Sequence, residues 1–104
     1  MLKQWHNNGV KYYNMKESQL QTQIKNRLTK HGWLVVKIIT STMNGIPDLM
    51  CIRKGVVIFL EVKTEDGVVA PLQEYVMRVL TSNQIHSRVV NCIEDVDVYC
   101  HKTY

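Results

Sequence analysis

The sequence predicts an α/β fold in which a central mixed β-sheet is flanked by helices, with elements in the order α-β-β-β-α-β-α. Three observations carry this expectation. Residues 16–30 repeat Leu20, Ile24 and Leu28 at four-residue spacing, the periodicity of a helix with one buried face. Three strand-like apolar runs follow, and Lys54-Gly55 joins the last two as a two-residue hairpin loop. A second amphipathic stretch over 70–82 separates these runs from a final one over 85–92. That order suits a last strand joined in parallel through a right-handed crossover helix.

Residues 1–14 hold Trp5, Tyr12 and Tyr13 among polar side chains, with Asn7-Asn8-Gly9 reading as a turn. An arm packed on the body or on a second subunit, a partly disordered segment, and an extension ahead of an internal start at Met15 all remain open. The helix over 16–30 ends at His31-Gly32, where Gly32 suits a left-handed cap. A strand over 33–39 leads to a small polar loop at 40–45. Pro47 fixes its own φ and drives Ile46 toward extended geometry, which holds the start of the next strand and aims Asp48. The runs 49–53 and 56–62 form the hairpin. The second run is apolar on both faces, as expected of a central strand covered on both sides. A loop over 64–69 contains Asp66-Gly67. The helix over 70–82 carries Pro71 in its first turn and places Gln73, Val76 and Leu80 on one stripe, joined by Leu72 and Val79. A strand over 85–92 and a short helix over 93–99, with Glu94 and Asp95 at its start, complete the chain.

A length of 104 residues bounds the chain to one domain, read as an arm over 1–14 and a body over 15–104. A formal net charge of +4 and a pI near 9.1 suit a polyanionic partner. The basic residues are spread from Lys3 through Lys16, Lys25, Arg27, Lys30, Lys37, Arg53 and Lys54. No apolar run approaches the ~20 residues that span a bilayer, and the first residues lack the apolar stretch of a secretory signal. A cytoplasmic protein without membrane contact is the expectation. Cys51, Cys92 and Cys100 are odd in number and lack CxxC spacing, so they read as buried free thiols. A zinc site from Cys92, Cys100 and His101 is a weak alternative, since the paired short spacings of structural zinc sites are missing.

The chemistry gathers around the hairpin. Folding about Lys54-Gly55 sets Arg53 against Val56 and, counting outward, Asp48 against Glu61. Opposed residues on neighbouring strands have Cβ atoms roughly 4.5–5.5 Å apart. Two carboxylates at that separation repel unless a positive charge lies between them. A hard cation such as Mg²⁺, which takes oxygen ligands at about 2.0–2.1 Å, meets that need. Lys63 lies two residues past Glu61 and so on the same face of the strand. Two acids and a lysine at the end of a strand pair match a metal-dependent phosphodiesterase. There the metal orients a water, lowers its pKa and stabilises developing charge. Asp48 and Glu61 are the candidate metal ligands, and the backbone carbonyl of Val62 is a third oxygen. Lys63 suits a cationic role, holding phosphate or orienting the water; the two acids beside it disfavour general-base work. Gln73, at the start of the inward face of its helix, would hydrogen-bond Lys63, the water or a phosphate. Glu17 shares the apolar stripe of the first helix, three residues before Leu20. It is a candidate ligand for a second metal, directly or through water, or else a first-turn acid that favours the helix dipole. The bland alternative for the whole set is a salt bridge between Lys63 and Asp48 or Glu61 at the sheet edge.

Gly45-Ile46-Pro47-Asp48, then Glu61-Val62-Lys63, then Gln73, with Glu17 ahead of them, resemble the virus-type replication-repair nuclease (VRR-NUC) branch of the PD-(D/E)xK nucleases. The resemblance spans about residues 17–98. It implies a restriction-endonuclease-like fold and cleavage of DNA that depends on Mg²⁺, with Mn²⁺ able to substitute. Small phage and bacterial members of this kind are homodimers that act on branched DNA and resolve Holliday (four-way) junctions. Two symmetric cuts on such a substrate suit a twofold axis. Two alternatives stay open: a monomeric nuclease for flaps, ends or single strands, and a branched-DNA-binding module without activity. Sequence-specific restriction fits less well, because base-edge readout needs groove-reading elements that so short a chain has little room for.

Overall fold

The computed structural model describes residues 15–101 and, ahead of them, the backbone of two short strands, β1 (Gln4–Trp5) and β2 (Lys11–Tyr12), paired antiparallel. The rest of the expected arm over 1–14, including the Asn7-Asn8-Gly9 turn, lies outside the described residues. Helix α1 (Glu17–Lys30) is followed by β3 (Leu34–Lys37), β4 (Leu49–Arg53), β5 (Val56–Val62), α2 (Pro71–Ser82), β6 (His86–Val90) and a 3₁₀ helix (Ile93–Tyr99). The four later strands form one mixed sheet in the order β3-β4-β5-β6, antiparallel except for the parallel β5–β6 pair.

The hairpin fixes the geometry that matters. Lys54 and Gly55 take φ of 48° and 81°, the paired positive values of a tight hairpin turn whose twist matches that of the strands. Arg53 therefore opposes Val56, and the ladder runs to Leu49 opposite Leu60. One further step sets Asp48 beside Glu61. On the other side the β3–β4 ladder continues past its last strand pair, with Ile38 N–H donating to the Asp48 carbonyl at 2.8 Å. Pro47 is buried, so the entry to β4 is held by packing as well as by its fixed φ.

Alternation along β4 and β5 sorts their side chains between two faces. Leu49, Cys51, Ile58, Leu60 and Val62 join Val35 and Val90 against Leu20, Ile24 and Leu28 of α1 and Val96 and Tyr99 of the 3₁₀ helix. Each fully buried aliphatic side chain contributes roughly 1.5–3 kcal/mol. Asp48 and Glu61 take the opposite phase, toward α2.

Four expectations need correction. Ile39 is 86% exposed rather than in a strand, because β3 is an edge strand whose pairing stops at Ile38. Leu72 is 48% exposed instead of joining the inward stripe of α2. A Cβ built on Gly45 would lie 2.9 Å from the Leu72 carbonyl oxygen, so the loop entering β4 docks on Leu72 instead. The final helix is 3₁₀, tightened by Asp95, whose carboxylate accepts Asn91 N–H at 2.8 Å while its backbone carbonyl accepts Arg88 Nη1 at 2.7 Å. Arg53, counted with the basic surface, is buried. Its guanidinium donates to the carbonyls of His31 and His101 and lies 5.0 Å from the Trp33 ring centre, which ties the C-terminal end of α1 and the segment after the 3₁₀ helix to the hairpin.

Gly45 combines φ +88° with that close approach to Leu72. Gly45→Ala is therefore expected to destabilise the protein by about 1–3 kcal/mol, read as a lower thermal midpoint. An unchanged midpoint would show that the loop does not rest on α2.

Candidate active site

Glu61 is the most informative side chain of the site. It sits near the end of β5 with 1% exposure, a rare position for a charged group unless it is paired. Its Oε2 accepts Gln73 Nε2 at 2.9 Å and meets Lys63 Nζ at 3.3 Å. Its Oε1 is buried with no hydrogen-bond partner among the described residues. Asp48, in the neighbouring strand, accepts Val62 N–H on Oδ2 at 2.9 Å. The lysine side chain is itself only 15% exposed. Asp48, Glu61, Lys63 and Gln73 thus form one group where β4 begins and β5 ends, capped by the first turn of α2.

The electrostatics are unbalanced. Burial, then the Asp48 charge, push the Glu61 carboxyl up to about 7; the hydrogen bond and charge of Lys63 oppose the shift, and Glu17 adds to it. A settled salt bridge would leave neither a raised carboxyl nor an orphaned oxygen. Two acids share the group with one lysine, which pairs with Glu61, so the group is one positive charge short of balance.

This shift has a sign that can be measured. The folded state binds the Glu61 proton more tightly than the unfolded chain does. The stabilisation is therefore complete below the ordinary value of 4.5 and is lost as pH rises toward about 7. The full difference is on the order of 3 kcal/mol, as much as one buried leucine contributes. In EDTA, Glu61→Gln is expected to match the wild type near pH ~4.5 and to exceed its thermal midpoint near pH ~8. Parallel midpoints across that window would show that Glu61 carries no such strain.

Glu17 stands in the first turn of α1, half-buried. Its charge is felt at Glu61, but no hydrogen bond or ion pair joins it to the other four among the described residues. Of the partners expected for Gln73, Lys63 is not the one it reaches: its Nε2 donates to Glu61, and its Oε1 accepts Ala70 N–H at 2.9 Å. Two residues went unanticipated. Asn91 Nδ2 donates to the Lys63 carbonyl at 3.3 Å, a contact that depends on where β6 ends. Gln21 is buried on α1 with its Oε1 unpartnered among the described residues; its place one turn after Glu17 was the available signal.

Among the described residues no three His, Cys, Asp or Glu side chains converge closely enough to hold a metal ion. Cys92, Cys100 and His101 therefore do not make a zinc site. All three cysteines are free, with Cys51 buried and its thiol pushed up to about 12 by burial. No helix among the described residues is long and apolar enough to cross a membrane.

A four-stranded mixed sheet with this helix placement, and acids and a lysine at the end of its hairpin, defines a restriction-endonuclease-like nuclease of the PD-(D/E)xK class. A solved structure described as a VRR_NUC domain matches with a TM-score of 0.74 and 30% identity, covering 88% of this chain and 100% of the other. A sequence profile described as archaeal Holliday junction resolvase (Hjc) matches residues 13–81, a span that includes Glu17, Asp48, Glu61, Lys63 and Gln73, and the chain belongs to that nuclease family. No curated protein matches.

Proposed function

We propose that this nuclease is a divalent-metal-dependent DNA endonuclease that resolves Holliday junctions as a homodimer. The body over 15–104 is the catalytic unit. The observation that carries the metal requirement is Glu61 Oε1, a buried oxygen without a partner among the described residues, on a carboxylate beside Asp48. The donor set is all oxygen, which suits Mg²⁺, with Mn²⁺ able to replace it. Glu61 Oε1 and the Asp48 carboxylate would hold the ion. Val62 would add its carbonyl, because the N–H and C=O of a strand residue point to the same neighbour, and Val62 N–H meets Asp48. An ion bound there supplies Lewis acidity and a water of lowered pKa.

The remaining residues do their own work. Lys63 Nζ neutralises Glu61 Oε2 and presents its charge to the scissile phosphate. Gln73 holds Glu61 from the side of α2. Glu17 stands behind the pair as the candidate for a second ion or for its water. A net charge of +4 favours a phosphate-bearing partner. The name of the matching family supports a branched substrate, and a twofold dimer would supply two cuts to a junction with paired strands.

The test is cleavage of end-labelled four-way junction, flap, duplex and single-stranded DNA with Mg²⁺, Mn²⁺ or EDTA, beside sedimentation of the free protein. Paired symmetric nicks on the junction, dependent on metal, with a dimer in solution, are expected. Cuts confined to flaps or ends by a monomer would overturn the resolvase reading and keep the nuclease. Binding to branched DNA without cutting in any metal would leave a binding module only.

A further inference from the structure

Gln73 makes two bonds with one amide. Its Oε1 accepts the backbone N–H of Ala70, the residue before α2, at 2.9 Å, and its Nε2 donates to Glu61 Oε2 at 2.9 Å. A backbone N–H can only donate, so the amide oxygen has to face Ala70 and the NH₂ has to face Glu61. A glutamine at the third position of a helix commonly closes back on the residue before it. Gln19 in α1 does so, accepting Lys16 N–H at 2.9 Å, but it is exposed. The cap is therefore a local property of both helix starts, and the bond to a buried carboxylate is what α2 adds.

We infer that this cap makes Gln73 a positioning residue for the metal site. The start of α2 sets the direction of the amide. The amide and Lys63 Nζ together occupy Glu61 Oε2, and Oε1 is left as the single oxygen that Glu61 offers to a divalent cation. Without the lock the glutamine could rotate and the Glu61 carboxylate could turn both oxygens toward Lys63, closing the place the cation needs. The same turn of helix also receives the loop that leads to Asp48, through the contact of Gly45 with Leu72. One helical turn thus touches the supports of both acids. The inference rests on the metal reading above and extends it to Ala70 and Gln73.

The test is Mn²⁺ affinity by calorimetry on the full chain, for wild type, Gln73→Met and Ala70→Pro. Methionine keeps the length of the side chain and loses both bonds. Proline at 70 deletes only the N–H that fixes the amide, and φ −69° with ψ 151° at Ala70 already suits a proline followed by another. Loss of an outer partner of a metal ligand weakens metal binding by about 10–100-fold, which is the expectation for Gln73→Met. A smaller weakening is expected for Ala70→Pro, in which Gln73 is intact, and DNA binding in EDTA should stay at the wild-type level in both. A cap that served only the helix would lower the thermal midpoint and leave Mn²⁺ affinity alone, and that result overturns the inference. If Gln73→Met fails to fold, Ala70→Pro decides alone, and wild-type affinity in it removes the lock. A wild type that binds no Mn²⁺ overturns the metal reading and this inference together, which is distinct from a loss confined to the variants.

Discussion

Asp48→Asn is expected to reduce cleavage by more than ~100-fold, since loss of a metal ligand should exceed what loss of an outer partner costs, while folding and DNA binding persist. The side-chain oxygen of asparagine can still accept Val62 N–H, as Asp48 Oδ2 does at 2.9 Å, so the start of β4 keeps its anchor. The variant also removes the second largest cause that raises the Glu61 carboxyl, which relieves strain in the metal-free protein. Single-turnover cleavage, a gel-shift titration and thermal unfolding in EDTA together read these effects. Unfolding of Asp48→Asn would mean that the carboxylate holds the structure rather than a cation.

Lys63→Ala is expected to lower the cleavage rate by about 10²–10³-fold, the usual consequence of removing a charge aimed at a developing negative transition state. Its effect on metal binding has a separate sign. Lys63 lowers the Glu61 carboxyl by hydrogen bond and charge, so the variant leaves Glu61 holding its proton to higher pH. Mn²⁺ affinity should fall near neutral pH, where the proton competes, and return to near the wild-type value above pH ~8.5. The cleavage defect should persist there. Near-normal cleavage at high pH would reduce Lys63 to a partner of Glu61 without a role at the phosphate.

The register of Asp48 against Glu61 was legible because a short-range feature sets it. Lys54-Gly55 closes the hairpin, and every opposed pair out to Leu49 and Leu60 follows by counting. The buried face of α1 was legible for the same reason, since the spacing of Leu20, Ile24 and Leu28 reports local geometry. What depends on neighbours brought from afar was not. The exposure of Ile39 follows from β3 being an edge, and that of Leu72 from how α2 lies on the sheet. That Gln73 meets Glu61 rather than Lys63 is not legible, because position along a helix shows that the side chain points inward, not which side chain waits there. Asn91 escaped notice because its use depends on the end of β6 lying beside Lys63. The resemblance in the motifs did carry the fold, which a 30% identical VRR_NUC domain shares across 88% of the chain.

Diffraction from crystals soaked in Mn²⁺, recorded at the manganese absorption edge, tests the site most directly. The expected result is an anomalous peak between Asp48 and Glu61, with Glu61 Oε1 at roughly the 2.0–2.1 Å of an oxygen ligand around such a cation, and with Oε2 still bonded to Gln73 and Lys63. An ordered Glu61 with no peak beside it, or manganese bound only elsewhere on the protein, would contradict the assignment of Asp48 and Glu61 as the metal-binding pair.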